Sequence, residues 1–425
     1  QALGIKPFDV QEPACFSVTS PNRFSIVNNM PKSPPLAVSD SKKRSAAKLS
    51  GADDFAVGDH ESARLRAMPR CFDPTICPPP LAEAPRKVVV LMRHGDRTCI
   101  PQKVGTLDLS HVAPVWERLM PTAEDQASMA CYVVQQNSKD GNNAYQKFVG
   151  ERPWGQLTSL GVAQCKTMGA ELRRRYPTAS IRAYSTNFPR TKQSAAAVLF
   201  GFGAAEDVPI IVRSPSEEVL LPNFDGRCRR YAELRAGIAV QLQKGPLEQM
   251  CKELEVELQP LVGENPLSAF NVANLDFRAL CIHEDHVGVV PGLTWQLMHR
   301  IEEHHAAIDG GVFQNLELRR LGCGRLLAQV LDLLADPTHE VVLLQAHDNM
   351  ITSFLTTLGI FKRDWPIYAS AVVLETADFE GDLRVRVHVN NEVRRDWVSL
   401  DEFAQPLNSL AMSSEEYEAI CASSE

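Results

Sequence analysis

One short run of residues sets the chemical problem: Arg93-His94-Gly95-Asp96-Arg97. Two arginines lie four positions apart around a turn that Gly95 permits. A phosphate monoester carries up to two negative charges, and transferring its phosphoryl group requires those charges to be held while a nucleophile approaches in line. Guanidinium groups meet phosphate oxygens through paired hydrogen bonds, which lysine cannot do. Between the arginines, His94 offers a ring nitrogen that attacks phosphorus when neutral and so splits hydrolysis into two easier steps. A histidine at a strand–loop junction is ordinarily structural. Two arginines flanking it, directly after an apolar run, favour the chemical reading.

The elements that must position these residues can be read from periodicity. Lys87 to Met92 is an almost continuous apolar run between charged residues, which suits a parallel strand buried on both faces. Ser180 to Ser185 and Glu340 to Ala346 predict two more strands. Residues 159 to 176 predict a helix with Leu160, Ala163, Met168 and Leu172 on one face, and 317 to 335 predict a Leu-rich helix. Strands alternating with helices imply an α/β fold, a three-layer sandwich with a mainly parallel sheet. Ligands of such sheets sit beyond the carboxyl ends of the strands. All three predicted strand ends carry polar groups: Arg93 to Arg97, then Ser185-Thr186-Asn187-Phe188-Pro189-Arg190, then His347-Asp348. The expected division is an irregular, proline-rich arm over 1–84, an α/β domain over 85–215 and 317–425, and a helical cap inserted at 216–316. Thr294 to His305 is the clearest helix of that cap. Within the arm, residues 31–50 are rich in Ser, Lys and Pro, which fits a disordered extension or the remnant of an organelle-targeting segment.

The segment Val88 to Thr98 resembles the signature of the histidine phosphatase superfamily, in its acid phosphatase branch. The resemblance implies a phosphohistidine at His94, with Arg93 and Arg97 cradling phosphate. Tyr184 to Thr191 resembles the segment that carries a third family arginine, which puts that role on Arg190. The family's late His-Asp pair matches His347 and Asp348, implying that His347 contacts phosphate and Asp348 is the general acid. Gly155 to Gly161, Asp364 to Ser370 and Glu375 extend the likeness, which runs from about 86 to 421. Glu218 to Asn223, Thr357 to Phe361 and Leu410 to Cys421 are similar to the lysophosphatidic acid phosphatase subgroup, which implies a lysophosphatidic acid or similar small monoester as substrate. One departure stands out. Where the family pattern has proline two residues after the second arginine, this chain has Cys99 and reaches proline at Pro101. That exchange removes a stiffening residue from the loop.

Asp348 has its own physical rationale. Breaking the P–O bond to an alkyl alcohol leaves a strongly basic alkoxide, so a proton donor there is worth about 10² to 10⁴ in rate. Neighbouring arginines favour the carboxylate, and the anionic substrate has to offset them, which favours activity at acidic pH. The bland reading of His347-Asp348 alone is a helix cap.

Other readings are weaker. His283-Glu284-Asp285-His286 and His304-His305 could be metal ligands, but Glu302 to His305 read better as the solvated face of a helix. No metal and no cofactor are expected. The chain has 425 residues and a net charge of −8, with no dominant basic face, which argues against a nucleic-acid partner. The longest charge-free runs, such as Gln193 to Ala205, are too short to span a bilayer. The eleven cysteines are scattered and no N-x-[ST] acceptor is present, favouring an intracellular site, cytoplasmic or mitochondrial, over secretion. The enzymatic rivals are an inositol phosphate phosphatase, with Arg227, Arg229 and Arg230 as the only obvious basic cluster, and a mutase-like transferase. The rival of another class is a non-catalytic phosphate-binding protein of the same fold.

Overall fold

The computed structural model describes residues 85–136, 151–223, 226, 228–267, 277–390 and 392–422. The chain divides into Gln1–Asp54 and Phe55–Glu425, and every described residue falls in the second unit. The arm expected over 1–84 lies outside the described residues.

Ten strands are described: β1 Lys87–Arg93, β2 Lys103–Val104, β3 Leu107–Asp108, β4 Val134–Gln136, β5 Ser180–Ser185, β6 Ile210–Val212, β7 Glu340–Ala346, β8 Ala371–Phe379, β9 Asp382–Val389 and β10 Glu392–Ser399. Eight of them form one sheet in the order β10-β9-β8-β1-β7-β5-β6-β4. The stretch from β1 to β4 is parallel throughout, as the alternation of strands and helices requires. The helices that matter for the site are α1 Ser159–Arg175, α2 Pro189–Phe202, α3 Arg229–Gln243, α4 Glu248–Val262, α5 Trp295–Val312, α6 Leu316–Ala335 and α7 Asp348–Thr357.

Alternation along β1 makes the layers. Val88, Val90 and Met92 face α1 and α2, while Val89 and Leu91 face α6 and α7. Each of these five side chains is at most 1% exposed, and full burial of each contributes about 1.5–3 kcal/mol. β1 is therefore central and apolar on both faces, although only one of its neighbours, β7, is parallel to it. The other, β8, is antiparallel. β8, β9 and β10 form an antiparallel extension that the α/β alternation does not anticipate. Its signal is local: Glu380 and Gly381 both have positive φ, making the tight two-residue turn that closes Phe379 onto Asp382.

The buried face of α1 differs from the expected one. Met168 and Leu172 point inward with Gly161, Val162 and Cys165, whereas Ala163 faces solvent and Leu160 is half-buried. The cause is a close approach at the start of the helix. A Cβ on Gly161 would lie 2.2 Å from the carbonyl oxygen of Asp96.

The region expected as a helical cap contains α3, α4 and α5, with Leu254, Leu258, Met298 and Ile301 in a cluster of their own together with Trp116 and Cys99. A disulfide joins Cys228, just before α3, to Cys421, which lies 193 residues along the chain. Disulfides persist in oxidising compartments, so this pair weighs against the reducing compartment expected from the scattered cysteines. Among the described residues, no helix is long and apolar enough to cross a membrane.

Candidate active site

β5, β7 and β1 are adjacent and parallel, and their last residues are in register: Ser185 opposite Gln345, and Arg93 opposite Ala346. The three polar strand ends therefore emerge side by side. All six residues singled out from the sequence, Arg93, His94, Arg97, Arg190, His347 and Asp348, come together there, each at most 7% exposed.

The loop after β1 is fixed by its backbone. The His94 amide donates to the Ala346 carbonyl at 3.2 Å, and its own carbonyl accepts from Ala369 N at 3.0 Å. Gly95 N donates to Ser194 Oγ at 3.1 Å and Asp96 N donates to Gln164 Oε1 at 2.8 Å, so α1 and α2 both grip the loop. Gly95 has a steric reason to be glycine, because a Cβ there would meet the Gly161 carbonyl oxygen at 2.5 Å.

His94 Nδ1 lies 2.8 Å from the Gly95 carbonyl oxygen. A carbonyl only accepts, so Nδ1 carries the proton and Nε2 holds the lone pair when the ring is neutral. The ring is kept neutral. Burial pushes its pKa well below the ordinary histidine value, and the charges of Arg190, Arg93 and Arg97 push in the same direction. The result is a neutral ring whose Nε2 lone pair stands among cations.

Three arginines surround it. Arg93 donates to the Pro366 carbonyl at 2.6 Å, pairs with Asp348 Oδ2 at 2.7 Å, and rests 4.4 Å from the centre of the Tyr368 ring. Arg97 donates to Thr98 O and lies 5.9 Å from the same ring. Arg190 enters in the first turn of α2, held over Phe188 at 4.5 Å, with Pro189 starting the helix. Its pKa is pushed down to about 9, first by burial and then by Arg97. An anion entering here would relieve that crowding of positive charge.

His347 Nε2 is 3.0 Å from Thr186 Oγ1, which is 2.9 Å from Thr191 Oγ1. The Thr191 hydroxyl donates to the carbonyls of Thr186 and Phe188. Thr186 must then donate to Thr191 and accept from His347, so the proton of the neutral His347 ring sits on Nε2. Burial and then Arg190 hold the His347 pKa well below its ordinary value. Asp348 is the first residue of α7, with His347 at the N-cap position and no cap bond from its side chain. Burial favours the neutral form of Asp348, but Arg93 and then His347 outweigh burial and leave its pKa lowered.

Sequence reasoning gave no role to Tyr368, whose ring is shared by Arg93, Arg97 and His94, the last at 5.8 Å between ring centres. It also misread α5. The expected solvated face at Glu302 to His305 is buried except for Glu303. α5 packs against α3, α4 and α7, so its polar groups meet protein rather than water. Glu302 pairs with Arg278, His304 Nε2 lies 3.2 Å from Cys251 Sγ, and the His305 ring lies edge-on to Trp365 at 4.2 Å. Among the described residues, no group of three or more His, Cys, Asp or Glu is arranged to hold a metal ion. Cys99 is fully buried in the cluster with Trp116 and Trp154, and its carbonyl accepts from Gly155 N at 2.6 Å. Packing and this bond hold the loop at the position where the family pattern has proline.

The family model described as histidine phosphatase superfamily (branch 2) matches residues 86–285, which span β1, the His94 loop and Arg190. The chain is similar to this superfamily branch over just under half of its length. Curated relatives of this chain include the human lysosomal acid phosphatase, 24% identical over 75% of this chain and 73% of that protein. A lysophosphatidic acid phosphatase type 6 from Pongo abelii is 25% identical over 63% of this chain and 69% of that protein. Among solved structures, the Hafnia alvei phytase in complex with myo-inositol hexakis sulphate superposes with a TM-score of 0.54 at 13% identity, covering 79% of this chain and 99% of that one. The Citrobacter braakii phytase does so with a TM-score of 0.52 at 12% identity, over 78% and 98%. At such identity, these two establish the fold alone. The relatives are named acid phosphatases, and this chain is accordingly an enzyme that hydrolyses phosphate monoesters.

Proposed function

We propose that this phosphatase hydrolyses a small phosphate monoester in two steps through a phosphohistidine on His94, without a metal ion. The observation that carries the proposal is the state of His94: neutral, with its Nε2 lone pair available among Arg93, Arg97 and Arg190. The arginines hold the phosphoryl oxygens, and Nε2 forms a bond to phosphorus as the bond to the leaving oxygen breaks. Asp348 gives its proton to that oxygen. In the second step, water attacks phosphorus, the P–N bond breaks, and the Asp348 carboxylate takes the proton of the attacking water. Inorganic phosphate leaves and Asp348 is ready again. His347 gains a second proton as the phosphate dianion offsets the arginine charges, and then donates to phosphate as well as to Thr186.

The proposed substrate is a lysophosphatidic acid or a similar monoester, supported by the subgroup resemblance and by relatives that bear that name. The helical segment 216–316, with the α/β parts 85–215 and 317–425 beneath it, would shape the space for the leaving group. An inositol polyphosphate needs a cationic surface beyond the central arginines. Of the basic cluster seen in the sequence, Arg229 pairs with Glu233 and Arg230 with Glu317, and Arg227 lies outside the described residues.

The test is hydrolysis of a chromogenic monoester at about pH 5 with chelator present, followed by lysophosphatidic acid, glycerol phosphate and inositol hexakisphosphate. Wild type should be active and should yield a trapped phosphohistidine, and His94→Ala should do neither. Equal activity in the two proteins would remove His94 as the nucleophile. Phosphate binding with no turnover would mean a binding protein.

A further inference from the structure

The fourth residue of Arg93-His94-Gly95-Asp96-Arg97 has no part in the chemistry described so far, yet it is fully buried. Asp96 Oδ2 accepts from Thr158 Oγ1 at 2.5 Å and from His283 Nε2 at 2.6 Å. The first bond joins the loop to the start of α1, where the same Thr158 oxygen accepts from Gly161 N at 3.1 Å and caps the helix. The second joins it to residues 277–287, which belong to neither the sheet nor α1. A carboxylate oxygen only accepts, so His283 Nε2 is the donor. The His283 ring stands edge-on to Trp116, with centres 5.5 Å apart and planes at 90°. That leaves the ring little freedom to swing away.

Asp96 Oδ1 is buried with no hydrogen-bond partner among the described residues. Keeping a carboxylate buried with one oxygen unsatisfied costs stability, and an apolar residue of similar size would avoid that cost. What the carboxylate provides is placement. It sits between the nucleophile and Arg97, and its two bonds clamp the loop from two directions at the point where the chain turns from one to the other.

We infer that His283 is a positioning residue for this reaction: by donating to Asp96 Oδ2, it locks the turn that aims His94 Nε2 and Arg97 at a single phosphorus. The histidine that the sequence presents as a candidate metal ligand thus belongs to the active site without touching the substrate. Loosening the clamp leaves every catalytic group in place but unaligned, and a misplacement of about 1 Å costs roughly 10²-fold in rate.

The inference rests on the proposed role of His94, and the experiment separates the two. Phosphohistidine formation is followed by rapid quench in wild type, His283→Leu and His283→Gln, with KM for an alkyl phosphate and the thermal midpoint measured in parallel. Leucine fills the space without a donor, whereas the glutamine amide can donate to Asp96. The leucine variant should stay folded and phosphorylate about 10- to 100-fold more slowly, with KM changed by less than about 3-fold, and glutamine should recover most of the rate. If leucine prevents folding, methionine, equally without a donor and more adaptable in shape, replaces it. A rate within about 2-fold of wild type in the donor-less variant would overturn the inference. So would a glutamine variant as slow as leucine, because the role would then be packing alone. If wild type turns over without forming phosphohistidine, the reading of His94 fails, and the same contrast measured in kcat still decides the case of His283.

Discussion

Asp348→Asn removes the proposed proton donor while keeping the size and shape of the side chain. In wild type, the Asp348 carboxylate meets Arg93 Nη2 at 2.7 Å, so the substitution also takes a negative charge away from Arg93. These two consequences act on different quantities. Losing the donor should slow phosphorylation by about 10² to 10⁴ for an alkyl leaving group, or about 2.7–5.4 kcal/mol of barrier at 1.36 kcal/mol per decade. Removing the carboxylate frees Arg93 Nη2 for phosphate while Nη1 keeps its bond to the Pro366 carbonyl, so KM should stay level or fall. A nitrophenolate leaves without a proton, so the same variant should lose less than about tenfold on a nitrophenyl ester. The assay is single-turnover phosphorylation of both esters by rapid quench, because the proposed mechanism also uses Asp348 in the later water step and steady-state rates would mix the two. The pH dependence carries the same information. Arg93 and His347 outweigh burial and lower the Asp348 pKa, so the free enzyme holds it ionised above the ordinary aspartate range. A bound phosphate dianion offsets those charges and raises the carboxyl's pKa in the complex, so the proton donor is lost as pH rises, wild-type turnover should fall from acid toward neutral pH, and the variant should lack that fall on alkyl esters. Equal losses on the two esters in the phosphorylation step would refute the assignment.

Two further expectations concern stability. Glu375 is fully buried and accepts from Arg175, Tyr176, Arg386 and His388. Burial alone would raise its pKa, but His388 and Arg175 overcome that and hold it well below the usual carboxylate range. Such a depressed group contributes stability above its unfolded pKa of about 4.3, and that contribution is lost as pH falls through the folded value. Glu375→Gln should cost about 3–5 kcal/mol in urea unfolding at neutral pH, with the gap to wild type narrowing below about pH 4; a constant gap would contradict the linkage. Replacing Cys228 and Cys421 by alanine releases a closed loop of 193 residues, for which chain entropy allows a loss on the order of 5 kcal/mol. An unchanged unfolding midpoint would mean that the bond constrains nothing in the unfolded chain.

Much of this protein was legible in the sequence because its signals are local. Val88 to Met92 suits a strand buried on both faces, because an apolar run without alternation leaves no polar face for solvent, and the leucine pattern of α6 gives its bounds to within one residue. The convergence of Arg93, Arg190 and Asp348 follows from the α/β alternation, because parallel strands end on one edge. The residues that were misread are those whose burial depends on distant neighbours. Glu302 and His305 look like a solvated helix face until Arg278 and Trp365 are brought against them. Asp96 and His283 are separated by 187 positions and carry no shared periodicity.

The sequence by itself determined which groups are available for phosphoryl transfer and which strands deliver them, because residue type and strand period act at short range. Only the tertiary structure decided how those groups are tuned. The proton on His94 Nδ1, the neutral ring, the lowered pKa of Asp348 and the clamp on Asp96 all come from burial and from charges brought close across the fold. Desolvation and Coulomb interactions depend on distance in space, and separation along the chain does not specify that distance.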